Sequence, residues 1–531
     1  MHALLLGTIL AGGGSSPAWA LAITNATCTQ QADNSLRFDC TITTDVASNA
    51  FIKFGEDLPA GCQEPRSTPA SFNNTSHSFT LYGLKPSDAF EWRGYASPAT
   101  GGAAVYTNCK NETTGDLPEL DGTAELAHVG ISTAGAADDV YNFLTHWGCR
   151  QPGNVRRDAF IVVDRDGEIV WYQDPAADLA SVGSTDLSLE AIGLTRPLKH
   201  VLGIINHEII VEYTLEGELV NLLCRDDGSG YCPGTTTVPD ATFDDYVHHD
   251  LAVFDGSLYV LTAEEVGVTD LLDCDGDSST SDTYPIVVDG MYVFDLTSGT
   301  PTLSDEWMWT DVAGVTVDYT VAGTCTSSYW GSSVAGADYM HTNSLWVDVA
   351  EQWMFSVHNL DSIWMVDADP TSSTYNEVAW TMNGGDPTDT GDSWEMVAGG
   401  YDEEFHGQHT AHWGPNADLA IFDNQWTNTG GTGVSRGVVF ELDATGGTAS
   451  ATAQYTMEDL AAADIYCPTG SSLWQLLGGH ALATCAEVNG TSAAMVNEFD
   501  ASDSVVWAVE LECDAGYQRN GTAFRGYANL W

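Results

Sequence analysis

Six of the fourteen histidines fall in three short segments, Val247-His248-His249-Asp250, Met340-His341-Thr342-Asn343-Ser344 and Glu404-Phe405-His406-Gly407-Gln408-His409 with His412 just beyond. Each segment opens a strand-turn-strand pattern. Leu251 and Val253 lead to the turn Asp255-Gly256 and then to Leu258-Tyr259-Val260-Leu261; Leu345 and Val347 lead to Trp353-Met354-Phe355; Trp413 leads to Pro415-Asn416 and then to Leu419-Ala420-Ile421-Phe422. A lone histidine is usually a structural hydrogen-bonding group, but recurrence at equivalent positions of a repeat argues for a site. Several imidazoles around one point bind a metal, or hold an anion and transfer a group. Group transfer needs a nucleophilic ring, donors for developing negative charge and a dry pocket. The histidines, Asn343 and the 17 tryptophans supply all three.

What positions them is an all-β chain. Short alternating apolar runs broken by Gly, Asp, Asn and Ser dominate, and few stretches show a helical period. Gly167-Glu168-Ile169-Val170-Trp171 is echoed by Gly217-Glu218-Leu219-Val220, and again by Glu377-Val378-Ala379-Trp380 and Ser504-Val505-Val506-Trp507. These read as hairpin return strands. About six strand-turn-strand units of roughly 45 to 90 residues predict a six-bladed β-propeller over 123–531, in preference to a two-sheet sandwich, because the sandwich leaves the repeat unexplained. Residues at one repeat position then converge on the ring's axis. Before the propeller, residues 23–112 predict a small β-sandwich. Leu84-Lys85-Pro86 followed by Phe90, Trp92 and Gly94 on one face resembles the late strands of a fibronectin type III or immunoglobulin-like domain. A polar, turn-rich linker, 113–122, joins the two. Residues 1–22 read as a secretory signal, with an apolar stretch from Ala3 to Ala11 and a small-x-small cleavage site at Ala18-Trp19-Ala20.

The formal charge is -59, from 16 basic and 75 acidic residues. Such a surface repels nucleic acid and anionic membrane and keeps the chain soluble. Any anion site must therefore supply its own local donors. Twelve cysteines fit an oxidising compartment, so the chain is expected to be secreted, periplasmic or on the cell surface; Cys224 and Cys232 are the easiest local pair. No stretch beyond the leader has the length of a membrane span. Asp273, Asp275 and Asp277 alternate around Gly276, which reads either as a structural calcium loop or as an acidic surface loop. Arg436 and Arg525 are scarce cations that pair with structural carboxylates or, if they point into the channel, bind an anion.

From His248 to Leu460 the chain resembles the bacterial arylsulfotransferase family. The resemblance rests on His248-His249-Asp250, Asp338-Tyr339-Met340-His341-Thr342-Asn343-Ser344, Ser356-Val357-His358-Asn359-Leu360 with Ile363-Trp364-Met365-Val366-Asp367, Gly407-Gln408-His409, Ile421-Phe422-Asp423-Asn424, Ser435-Arg436 and the closing Ala523-Phe524-Arg525-Gly526-Tyr527. It implies a propeller whose central funnel moves a sulfuryl group from a phenolic sulfate ester to a phenol, with no metal or nucleotide cofactor. It places a transient sulfohistidine on His409, supporting histidines on His249 and His341, and substrate binding on Asn343. The family's arginine falls on His358, a departure, because arginine is a permanent cation and histidine is not. Arg436 or Arg525 is the candidate replacement. Two rivals stand beside this enzyme: a non-catalytic extracellular propeller or adhesion module, and a metal-dependent lyase or hydrolase using the histidine cluster. The sequence leaves donor, acceptor and oligomeric state open.

Overall fold

The computed structural model describes residues 21–531 apart from 57–65, 121–123, 151, 154–157, 180–186, 196–198, 227, 270–282, 313–336, 339, 349–351, 385–393, 398–400, 402–403, 426–432, 446, 477, 492, 516, 520–525 and 531. The proposed calcium loop and Arg525 lie outside the described residues, as does nearly all of the proposed leader. Two compact units are present, Met1–Gly115 and Asp116–Trp531.

The first unit is built on one long strand, Phe38–Glu56. Its first part pairs with Ile23–Gln30 and Ser71–Leu81, and its second with Ala89–Pro98. The change of partner near Ser48–Ala50 curls the sheet over a core of Ile42, Ile52, Phe54, Phe90 and Trp92. Phe90 and Trp92 both go inward, which follows from the alternation seen in the sequence. Cys28 and Cys40 are joined across the first pair of strands. Leu21, two residues before position 23, is also buried in this core.

The second unit is a six-bladed β-propeller. From the second blade to the sixth, the innermost strands are Leu189–Leu194, Tyr246–Phe254, Thr342–Val347, His409–Trp413 and Ser472–Gln475. The hairpin returns begin where the repeated motif placed them. Gly167 and Gly217 adopt φ of 87° and 93°, a left-handed conformation that glycine enters without penalty, and Ile169–Gln173 and Leu219–Arg225 follow. Apolar side chains fill the space between blades. One such core stacks Trp307 on Phe355 and sets Trp309 against Trp364.

The ring closes twice. Val129–Gly135 pairs with Val505–Cys513 as the outer strand of the sixth blade, and Tyr527–Ala528 pairs with Asn142–Trp147 in the first. Cys149–Cys513 bridges the same closure across 364 residues. Cross-linking so long a loop removes much unfolded-chain entropy, on the order of 6 kcal/mol in the loop model. Cys224–Cys232 pair locally. Among the described residues no helix is long and apolar enough to cross a membrane.

Candidate active site

Three innermost strands break register where the histidines sit. Pairing shifts between Val247 and Leu251, between Thr342 and Ser344, and between His409 and His412. In or immediately before each break a non-glycine residue lies in the left-handed region: His249 at φ 49°, His341 at 52° and Thr410 at 57°. Such residues cost on the order of 1 kcal/mol or more each, and persist only where the surroundings hold them. Side chains of neighbouring blades do so. Asp289 accepts from the Thr342 amide, Asp250 from the Leu345 amide (2.7 Å), and Ser344 Oγ from the Ala411 amide (3.0 Å). Thr410 Oγ1 donates to the Ser471 carbonyl (2.7 Å) and the Asn343 amide to the Gln408 carbonyl (2.8 Å). These bulges re-aim side chains at one point, a common use of such irregularities.

The result is a row of imidazoles. Ring centres are separated by 5.1 Å from His248 to His249, 4.8 Å to His341, 5.0 Å to His358 and 5.5 Å to His409. Their hydrogen bonds set different states. A carbonyl only accepts, so His248 donates from Nε2 to Thr262 (2.9 Å); its Nδ1 then accepts from His249 Nδ1 (2.9 Å). His249 thus carries its proton on Nδ1. Burial pushes His248 down to about 3, and burial together with the neighbouring His341 pushes His249 well below the ordinary histidine value. Both rings are neutral near pH 7.

His341 is the reverse. Its Nδ1 bonds Asp338 Oδ2 at 2.5 Å. Burial is the largest single effect and opposes charge, but Asp338, by its charge and its hydrogen bond, and Asp289 together outweigh it, and the pKa is raised. Asp289 is buried next to Asp338 and is pushed up to about 7. Its carboxylate neighbours thus favour the charged form of His341.

His409 differs again. Its Nδ1 donates to Asn424 Oδ1 at 2.7 Å. The Asn424 amide nitrogen donates to the Cys467 and Gly470 carbonyls (2.8 and 3.0 Å), which fixes its oxygen toward the ring, and Cys467 is itself tied to Cys485. Nε2 is left as the basic nitrogen of a ring only 5% exposed.

His358 opens a short turn after Val357. The Asn359 amide nitrogen donates to the Asp338 carbonyl (3.0 Å), so its oxygen accepts from His358 Nδ1 (3.0 Å). Burial, and then the charge of His341, push His358 down to about 4. A neutral ring protonated at Nδ1 presents a lone pair at Nε2, where an arginine would present donors.

The sequence-picked residues separate into groups. His249, His341, His358 and His409 come together, and Asn343 is buried with its amide on the carbonyl of Gln408, the residue before His409. Arg436 does not join the row: it is buried with Nε on Asp423 (3.0 Å), Nη1 on Gln454 (2.9 Å) and Nη2 on the Glu404 carbonyl (2.6 Å). This is its structural alternative, and it braces the loop that carries His406, whose amide also bonds Asp423 (3.0 Å). His406 pairs with Asp361 (3.2 Å). His412 turns to the other end of the channel, because the bulge at Thr410 separates it from His409. Sequence reasoning passed over Asp338, Asp289, Asn359 and Asn424 as functional groups. Asp338 stands three residues before His341 and Asn424 lies in a quoted motif, so both had a local signal; Asp289, fifty-odd residues upstream of its partners, had none. Among the described residues no group of three or more His, Cys, Asp and Glu is placed to hold a metal ion.

Several solved structures share a distant likeness. One is a protein of unknown function from Bacteroides caccae (7% identity, 72% of this chain and 98% of that one, TM-score 0.37). Another is a putative 6-phosphogluconolactonase from Bacteroides uniformis (8%, 91% and 100%, 0.31), and a third a streptogramin B lyase (9%, 73% and 98%, 0.32). Similarities of this size say nothing about chemistry. A comparison with curated protein sequences finds no match. The model of the arylsulfotransferase (ASST) family matches residues 137–525, which take in part of every blade and all five rings of the row. The chain belongs to the arylsulfotransferase family.

Proposed function

We propose that the histidine row transfers a sulfuryl group from a phenolic sulfate ester to a phenolic acceptor through a sulfohistidine at His409. His409 Nε2 attacks sulfur. The sulfur–oxygen bond to the aryl group breaks, its electron pair goes to the phenolate oxygen, and His341 delivers its Nε2 proton there. The sulfuryl group then sits on His409 Nε2, and the positive charge on that ring is shared with the Nδ1–H bonded to Asn424. In the second half His341, now neutral, takes the proton of an incoming phenol. The phenol oxygen bonds sulfur as the nitrogen–sulfur bond breaks and its electrons return to Nε2. Proton donation of this kind contributes about 100- to 10,000-fold in rate. The described disulfides fit a secreted or periplasmic setting for this chemistry.

The observation that carries this reading is the pairing of opposite partners in one row: an amide oxygen on His409 Nδ1 and a carboxylate on His341 Nδ1. The reading is tested with a chromogenic aryl sulfate, with and without a phenol acceptor, in the presence of chelator. Acceptor-dependent release lost in His409→Ala supports it, and turnover retained in His409→Ala overturns it. One observation favours the non-catalytic reading: His358, neutral and without the family's cation. Silence in the same assay at every pH supports that reading. Metal-dependent turnover abolished by the chelator supports the lyase or hydrolase reading, for which the described residues offer no donor set.

A further inference from the structure

Past the histidine row the same innermost strands run on to the other mouth of the channel, where they wall a cavity of about 850 Å³. Its walls are aromatic and come from five blades: Phe254, Trp346, His412, Trp413, Trp474 and Tyr527. The His412 ring lies 4.5 Å from Trp474 and 5.5 Å from Trp346, and Trp474 lies 4.9 Å from Tyr527. Trp346 and Trp474 are only half-buried, yet the indole nitrogen of each is buried. What the cavity meets is therefore ring carbon rather than an N–H donor. Concave aromatic surface left open to water on this scale marks a binding site more often than a bare surface.

The polar groups point the same way. Among the described residues no lysine or arginine lines the cavity, whereas Asp255 and Asp348 do. Asp250 also lines it, but its oxygens accept from the Leu251 and Leu345 amides. His412 donates from Nδ1 to the Thr410 carbonyl (3.1 Å), so in the neutral ring the other nitrogen is an acceptor. Aromatic faces with carboxylates and no cationic donor attract a cation and repel a sulfate or carboxylate.

We propose that this cavity is a second ligand site, distinct from the histidine row, and that it takes an organic cation with an aromatic body and an alkylated ammonium head. The ammonium lies against the Trp346, Trp474 and Tyr527 faces, with Asp348 as its counter-charge, and the aromatic body fills the remaining volume.

Calorimetric titration of the full chain tests this with benzyltrimethylammonium, and with benzyl alcohol and benzenesulfonate as neutral and anionic counterparts. The cation is expected to bind one site, with both counterparts at least about tenfold weaker. Trp474→Ala and Asp348→Asn should each weaken the cation about threefold to tenfold, and His409→Ala should leave it unchanged. Asparagine keeps an acceptor for the Gln352 amide that Asp348 now bonds at 3.3 Å, so Asp348→Asn decides the matter even if Trp474→Ala folds poorly. Absence of saturable heat from the cation, equal or tighter binding of either counterpart, indifference to Asp348→Asn, or loss of binding in His409→Ala each overturns the proposal.

Discussion

His341 and His409 are the same side chain under two different partners. Both sit at a left-handed bulge of an innermost strand, or immediately beside one, both are nearly buried, and both are oriented through Nδ1. The partner of His341 is a carboxylate, which favours the cation; the partner of His409 is an amide oxygen, which fixes the tautomer without adding charge. In the proposed reaction a difference of one atom type between Asp338 and Asn424 separates the acid from the nucleophile along one row. Proximity alone assigns neither role, because His249 and His358 are equally close and both are held neutral.

The sharpest way to break the contrast is to remove the carboxylate. Asp338→Asn should lower the rate about 100- to 10,000-fold with donors whose phenol is a poor leaving group, and much less with nitrophenyl donors that need no proton. A leaving-group series reads this directly, and a uniform loss across the series would count against His341 as the acid. The same substitution should shift the pH profile. The pKa of His341 is raised above its ordinary 6.5, so its acid form persists to higher pH and is lost as pH rises through the raised value. The alkaline limb of kcat should therefore move to lower pH in Asp338→Asn; an unmoved limb belongs to another group.

Asn424→Asp makes the His409 corner imitate the His341 corner. A carboxylate there favours protonated His409, so the rate at neutral pH should fall about 10- to 100-fold and recover in part as pH rises. Steady-state rates across pH check this. The smallest expected effect is a gain. His358→Arg restores a permanent cation where the bare site holds a neutral ring, and should raise kcat/KM near pH 7 about tenfold, with the advantage shrinking toward pH 4 as His358 itself becomes charged. No gain at pH 7 would mean that sulfate binding at this site does not rely on that charge.

Much of this arrangement was legible in the sequence because it is periodic. The recurrence of His249, His341 and His409 at the start of strand-turn-strand units revealed both the ring and its convergence point. The eight-residue spacing of Cys224 and Cys232 revealed a local bridge. The rest depends on contacts that no short pattern encodes. Cys149–Cys513 and the pairing of Tyr527–Ala528 with Asn142–Trp147 join the two ends of the propeller. Asp289 reaches the site from a different strand. The bulges at His249, His341 and Thr410 use residues other than glycine, so nothing in composition announced them, and strand alternation alone does not separate His412 from His409. Arg436 illustrates the converse: a scarce cation near a motif, open from sequence to either a structural carboxylate or an anion, is held by Asp423, Gln454 and a carbonyl.

The most direct test is a single-turnover reaction with a nitrophenyl sulfate and no acceptor, followed by mass spectrometry of the histidine-bearing peptides. The contrast between the two corners predicts one sulfuryl group on His409, none on His341, and its discharge when a phenol is added. A sulfuryl group on His341, or turnover without any adduct on His409, would contradict it.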